Sequence, residues 1–309
     1  MDRFGSLREK LLTALPRLEL RQQEPMSRHT SFKVGGPAAL MACPGSMEEL
    51  SVILKLAGEE GIRPFFLGKG SNLLVSDRGV DEFVIKIAGG ITELRLEGET
   101  TLYVGAGVTL AQAANFAADH GLTGLEFAHG IPGTMGGGLF MNAGAYDGEL
   151  VQVVRSADCL DERGECRGLE KDQLELGYRH SVFARLPWLI TGVRLELRRG
   201  EQAEIRAKMA DLAQRRRDKQ PLEYPSAGST FKRPEGHFAG GLIEQCGLKG
   251  TAVGGAQVSE KHAGFLINRG NATCQDILDL IRLVRKTVME QTGVKLEPEV
   301  RMLGVRVDD

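Results

Sequence analysis

The chain is poor in the residues that advertise whole classes of protein. Only five cysteines occur in 309 residues, at positions 43, 159, 166, 246 and 274, with no CxxC pair among them. That argues against a disulfide scaffold or a thiolate metal site and fits a reducing compartment. The six histidines, at 29, 120, 129, 180, 237 and 262, show no metal-ligand spacing, so no metal is expected. Charge of one sign is lacking too: 39 Lys and Arg stand against 41 Asp and Glu, a net charge of −2. A nucleic-acid or membrane-surface partner is therefore not expected, and any anionic ligand must be met by local basic groups. No apolar run is long enough to span a bilayer, and MDRFGSLREKLL lacks the apolar core of a signal peptide. A cytoplasmic protein without membrane insertion is expected. Glycine is not scarce. Forty occur, and residues 131–149, IPGTMGGGLFMNAGAYDGE, crowd six into nineteen positions, although ordered glycine costs conformational entropy.

Helix ends are marked clearly. Ser46 with Glu49 forms a capping-box pattern opening LSVILKLAGEE, with Gly61 at the stop, and Thr109 with Gln112 repeats it before Gly121. A third helix is expected from about Glu201 to Arg217, ending before Pro221. A fourth begins near Thr273 and carries Ile277, Leu280, Ile281, Val284 and Val288 on one face. Strand patterns lie at FFLG (65–68), FVIKI (83–87), LPWLITGVRLEL (186–197) and AGFLIN (263–268). ITELRLEGETTLYVGAG (91–107) reads as a hairpin about Gly98. Helices and strands alternate irregularly, which favours α+β over a doubly wound parallel sheet. Composition shifts at RRRDKQPLEYPSAGS, so a domain boundary is expected near residue 215.

Three glycine turns stand in the first half: Gly68-Lys69-Gly70-Ser71-Asn72, Gly105-Ala106-Gly107 and the 131–149 stretch. None completes G-x-G-x-x-G or a Walker loop. Backbone N–H groups turned inward by glycine can hold phosphate without a basic side chain, and several such loops suit a dinucleotide. The competing reading makes each a plain tight turn.

GKGSNLLV (68–75), GAGVTL (105–110) and HGIPGTMGGGLFMNAGAY (129–146) resemble the FAD-binding loops of the vanillyl-alcohol-oxidase-type fold, the PCMH-type flavoproteins. With GYRHSVF (177–183), PSAGSTFKRP (225–234), CGLKGTAVGGAQVSEKHAGFLIN (246–268) and LEPEVRMLG (296–304) they resemble, in order, the UDP-N-acetylenolpyruvoylglucosamine reductase family. The resemblance implies two α+β subdomains that bind FAD and a C-terminal α+β substrate-binding domain. The expected spans are 1–88 completed by 297–309, then 89–212, then 213–296. It implies cofactor contacts from Gly68, Lys69, Gly70, Ser71, Asn72, Leu73, Gly130, Ile131, Pro132, Gly133, Thr134, Gly136, Gly137 and Asn142. GKGSN offers no His or Cys for a covalent flavin link, so non-covalent FAD is expected, with NADPH as hydride donor.

The implied reaction reduces UDP-N-acetylglucosamine enolpyruvate to UDP-N-acetylmuramate, a peptidoglycan precursor. Arg179 matches the family's catalytic arginine, Glu299 its catalytic glutamate and Ser229 its proton donor to C2. Glu297 and Thr230 are adjacent residues of the same chemical types. Taken without the motif, each of the three has an ordinary structural explanation: a surface ion pair, a solvated carboxylate, a turn serine. Lys219 lies where the family binds substrate. Lys232, Arg233 and Lys249 are further candidates for the UDP phosphates, and Tyr224 for the uracil ring. Only fifty residues separate Arg179 from Ser229, as in the shorter (type II) form of the enzyme. A flavin oxidase of the same fold acting on a sugar or alcohol, and a nucleotide-sugar binding protein without chemistry, remain as alternatives.

Overall fold

The computed structural model describes residues 3–307. The chain divides into two compact units. The first comprises Met1–Gln22, Leu40–Lys69 and Glu82–Arg215; the second comprises Gln23–Ala39, Gly70–Asp81 and Arg216–Asp309.

The first unit holds a five-stranded antiparallel sheet in the order Cys166–Glu170, Val154–Leu160, Leu189–Glu196, Thr101–Gly105, Leu94–Leu96. Its last two strands are the expected hairpin, turned at Gly98 with φ +99°. Most of a second sheet lies here too, in the order Glu19–Pro25, Pro37–Cys43, Val80–Lys86, Phe65–Leu67, the last pair parallel. The Met47–Glu59 helix buries Leu50, Ile53, Leu54 and Ala57, one face at helical spacing. Ser46 caps it by accepting the Glu49 N–H, but the Glu49 carboxylate takes the N–H of Gly45 at 2.7 Å, so the expected box is displaced by one residue. At Leu110–Asp119 the box is complete between Thr109 and Gln112. The helix expected over 201–217 spans Gln202–Lys219.

In the second unit Ser226–Ser229, Phe265–Asn268, Ala256–Val258 and Ala252–Val253 form an antiparallel sheet in that order. The Cys274–Thr292 helix packs on the Ala252–Val253 and Ala256–Val258 strands, and the five expected apolar residues on its face are fully buried. Its N-terminus is satisfied twice, by Thr273 and Asp276 in a capping box and by Asp77. The Asp77 carboxylate accepts from the N–H groups of Cys274 and Gln275 at 2.8 and 3.1 Å. Leu73–Val75 runs parallel to Arg301–Leu303, and Phe32, Val34 and Leu74 enter this core.

This division differs from the three expected spans. The chain ahead of residue 212 forms largely one unit, and two excursions, 23–39 and 70–81, join the C-terminal unit instead. The C-terminal strand does pair with residues inside 1–88, but those residues are themselves part of the second unit. Among the described residues no helix is long and apolar enough to cross a membrane, and no group of three metal-ligating side chains occurs. Burial pushes the thiols of Cys159 and Cys274 up to about 12, aided by Asp158 and Asp77 respectively. Neither is a thiolate at neutral pH.

Glu126 is buried in the turn leading to the third glycine loop. Burial pushes its carboxyl up, but the Thr123 hydroxyl, the N–H groups of Glu126 and Gly124, and Lys208 outweigh that and hold it below the usual carboxylate range. A lowered folded value stabilises the fold above the unfolded value and loses that contribution as pH falls through the folded one. Glu126→Gln is expected to cost about 1–3 kcal/mol at neutral pH in urea titrations. The gap to the unsubstituted protein should narrow as pH falls through the lowered folded value.

Candidate active site

In the first unit the glycine loops are assembled by backbone bonds. Gly133 C=O accepts from Leu110 N–H at 3.2 Å, Val108 C=O from Met135 at 2.7 Å, and Ala106 C=O from Gly136 at 3.0 Å. The 132–138 loop therefore has its back on the 105–110 turn. Some glycines serve that packing: a Cβ on Gly136 would lie 2.9 Å from the Ala106 Cβ, and one on Gly68 would lie 2.7 Å from the Thr134 hydroxyl. Gly137 differs. It is exposed, and a Cβ there would meet nothing nearer than Thr134 Oγ1 at 3.6 Å. Packing within the protein does not explain its missing side chain. Pro132 is exposed, Gly130, Ile131 and Gly133 are half-buried, and Thr134 is buried as the cap of the Met135–Phe140 helix.

Asn142 is fully buried, and its amide is consumed internally. Nδ2 donates to the Gly177 carbonyl at 3.0 Å and to Glu149 Oε2 at 3.2 Å, while Oδ1 accepts from Val151 N–H at 2.9 Å. Its side chain thus serves as an internal tie, with both amide hydrogens engaged within the protein. That tie leads to Arg179. Gly177 and His180 exchange both backbone hydrogen bonds, at 3.1 Å each, leaving Tyr178 and Arg179 at the tip of a tight turn. Arg179 has φ +54°, and its guanidinium carbon lies 5.1 Å from the Tyr178 ring centroid.

The second unit carries Gly70, Ser71, Asn72, Leu73, Ser229 and Glu299. Gly70 has φ +60°, and a Cβ there would fall 2.0 Å from the carbonyl oxygen of His29, so only glycine fits. Leu73 is buried in its strand. Phe231 faces Pro298; on either side, Glu299 N–H donates to Thr230 C=O and Lys232 N–H to Glu297 C=O, both at 2.8 Å. Asn72 Nδ2 donates to the Glu299 carbonyl at 3.1 Å, and the Arg301 N–H donates back to Asn72 C=O at 3.1 Å. Three segments, 71–73, 229–232 and 297–301, are thereby brought to one place. The two hydroxyls are no longer equivalent: Thr230 is fully buried and accepts from Leu266 N–H at 3.2 Å, whereas Ser229 is exposed. The two carboxylates separate likewise. Glu297 is exposed and pairs with Lys232 at 3.5 Å, while Glu299 is half-buried.

The candidate phosphate ligands split. Lys219 and Lys249 both act on His262: burial holds its imidazole below the ordinary value, and these two ammonium groups push in the same direction. Lys249 also pairs with Glu244 at 2.5 Å. Arg233 stacks on the exposed Phe238 at 4.0 Å, and Tyr224 carries Arg269 at 5.1 Å. Residues that sequence reasoning did not single out are Asp77, Ser181, Leu266 and Arg269.

The loop geometry, with an outward glycine that a Cβ would fill, fits a flat, phosphate-bearing cofactor held by main chain. A FAD-binding-domain model matches residues 38–170, so the chain is a flavoprotein of the α+β class expected from its loops. The C-terminal-domain model of UDP-N-acetylenolpyruvoylglucosamine reductase matches residues 220–303. The enzyme of that name from Caldanaerobacter subterraneus subsp. tengcongensis is 48% identical over 296 residues, covering 96% of this chain and 97% of that one. The one from Clostridium perfringens (strain SM101 / Type A) is 49% identical over 280 residues, covering 91% of each. A crystal structure of UDP-N-acetylenolpyruvylglucosamine reductase from Thermus caldophilus superposes with TM-score 0.79 at 36% identity, covering 93% of this chain and 99% of that one. The chain belongs to the UDP-N-acetylenolpyruvoylglucosamine reductase family.

The neighbouring hydroxyls separate by stability. Thr230→Val strands the buried Leu266 N–H and should cost about 1–3 kcal/mol. Ser229→Ala should stay within about 0.5 kcal/mol of the parent in the same thermal unfolding measurement.

Proposed function

We propose that the protein reduces UDP-N-acetylglucosamine enolpyruvate to UDP-N-acetylmuramate with non-covalently held FAD and NADPH, for peptidoglycan precursor synthesis. The observation that carries this reading is the backbone pairing that sets the Ser229 strand beside the Glu299 segment, with the exposed Ser229 hydroxyl distinguished from the buried one at Thr230.

Hydride chemistry is the cofactor's: from NADPH in the first half-reaction, to C3 of the enolpyruvyl ether in the second. What the chain must supply follows from the second half. Hydride arriving at C3 leaves negative charge on C2 and the adjoining carboxylate. The Arg179 guanidinium offers a cationic planar fork matched to a carboxylate. A proton must then reach C2. Ser229 is a weak acid, but a carbanion is a strong base, and a fixed hydroxyl suffices when its geometry is held. Glu299 would repel a developing enolate if ionised beside it, so it acts protonated or neutralised by a cation. Gly68, Lys69, Gly70, Ser71 and Asn72, with the 130–137 loop, hold the cofactor. Lys219, Lys232, Arg233 and Lys249 are the proposed phosphate ligands, and Tyr224 the uracil contact.

The test is anaerobic. NADPH should bleach the flavin, and UDP-N-acetylglucosamine enolpyruvate should restore the oxidised spectrum with one lactyl ether formed per flavin. Recovery only on admitting air would instead make the protein an oxidase. Ser229→Ala should leave bleaching near normal and slow recovery by about 10²–10⁴-fold; equal loss in both steps would remove Ser229 from the proton transfer. Gly137→Val should yield protein without FAD, because the valine side chain occupies the outward space of the loop. A yellow variant at full flavin occupancy would count against that loop as the cofactor cradle.

A further inference from the structure

Arg179 occupies the third position of its turn at φ +54°, in the left-handed region that L side chains other than Asn and Asp rarely adopt. A turn of that shape normally places glycine there. The arginine is therefore held against its own backbone preference, and something must hold it. Two side chains do so, both tied to one short stretch. Asn142 reaches the near arm of the turn: its Nδ2 donates to Gly177 C=O at 3.0 Å, the same carbonyl that accepts the closing His180 N–H. Ser181 fixes the far arm: its hydroxyl, fully buried, donates to Phe140 C=O at 2.7 Å. Asn142 is itself immobilised by Val151 N–H and Glu149, and its backbone sits at φ +42°.

We infer that Asn142 and Ser181 are positioning residues for Arg179, mounting its turn from both sides on Phe140–Asn142 at the end of the glycine-rich helix. The inference rests on the proposed role of Arg179 in the second half-reaction. It assigns Asn142 to the reacting arginine and not to the cofactor. Neither residue touches substrate; each acts by fixing where the guanidinium starts. A displaced arginine would leave hydride uptake from NADPH intact and slow only the step in which charge develops on the substrate carboxylate.

The experiment uses the FAD-loaded protein and three measurements: flavin content, the rate of anaerobic bleaching by NADPH, and the rate of recovery on adding UDP-N-acetylglucosamine enolpyruvate. Ser181→Ala, which removes one bond and leaves no void larger than an oxygen, is the primary variant; Asn142→Ala is the stronger one. Ser181→Ala should keep its flavin and bleach normally while recovery slows about tenfold, the size expected for one buried hydrogen bond acting on the barrier. Ser181→Thr, which restores the hydroxyl, should return most of that rate. In an Arg179→Ala background the Ser181→Ala change should have no further effect on recovery, because its route of action is gone. Normal recovery in Ser181→Ala, an undiminished tenfold effect in the Arg179→Ala background, or loss of FAD from Ser181→Ala would each overturn the mount. Should Arg179→Ala itself recover at the parent rate, the proposed role of Arg179 falls and the mount with it. That outcome is read on a different protein and is distinguishable from the others.

Discussion

A proline in a strand has no N–H to give, so a neighbouring strand can face it without loss only where no ladder bond is due from it. Phe231 faces Pro298 at such a place, and the bonds are made by Glu299 and Lys232 on either side. Much of the second unit's candidate site depends on that local register. Shift the pairing by one residue and the proline would stand where a donor is needed, while Thr230 would lose its bond from Glu299. The register thereby sets which glutamate adjoins Asn72. Asn72 extends the constraint, because its amide holds the Glu299 carbonyl and its own carbonyl holds Arg301. Asn72 and the candidate residues of the C-terminal segment are joined in one hydrogen-bonded network.

The first unit solves a similar problem by different means. Its loops approach too closely for side chains, so glycines at 68 and 136 make room for the chain itself. A run of glycines thus has two causes at once, one internal and one facing outward at Gly137. Sequence composition cannot separate these. Only the direction in which a Cβ would point does.

Local signals were read well and distant ones poorly, for a physical reason. Thr109 with Gln112, Thr273, Gly98 and the apolar stripe from Ile277 to Val288 depend on residues within a turn or two, and each formed the expected element. The stretch 70–81 falls within the expected N-terminal span, and nothing near it in sequence signals the unit it packs with. Its place is decided by Asp77 capping a helix 197 residues away and by strand pairing with Arg301–Leu303. The distinction between Ser229 and Thr230 has the same character, since it turns on the Leu266 N–H. So does the tie made by Asn142, whose side chain holds a carbonyl 35 residues on. The resemblance to a known family names the candidate residues; the geometry shows how each differs from its immediate neighbours.

An arginine has many rotamers, and the value of its planar fork to a reaction depends on how little of that freedom remains when the substrate arrives. Packing around the side chain is one way to remove it. Constraining the backbone is another, and it works even for a half-buried residue at the tip of a turn. The Gly177–His180 turn takes the second course: its ends are closed on each other, both arms are tied to Phe140–Asn142, and the arginine itself sits at positive φ. A backbone conformation that a free arginine would leave persists only where neighbouring bonds over-determine it. Here Asn142 and Ser181 supply them, and both side chains are fully buried. Local propensity and tertiary structure disagree at Arg179, as expected of a residue whose position is fixed for the role proposed for it.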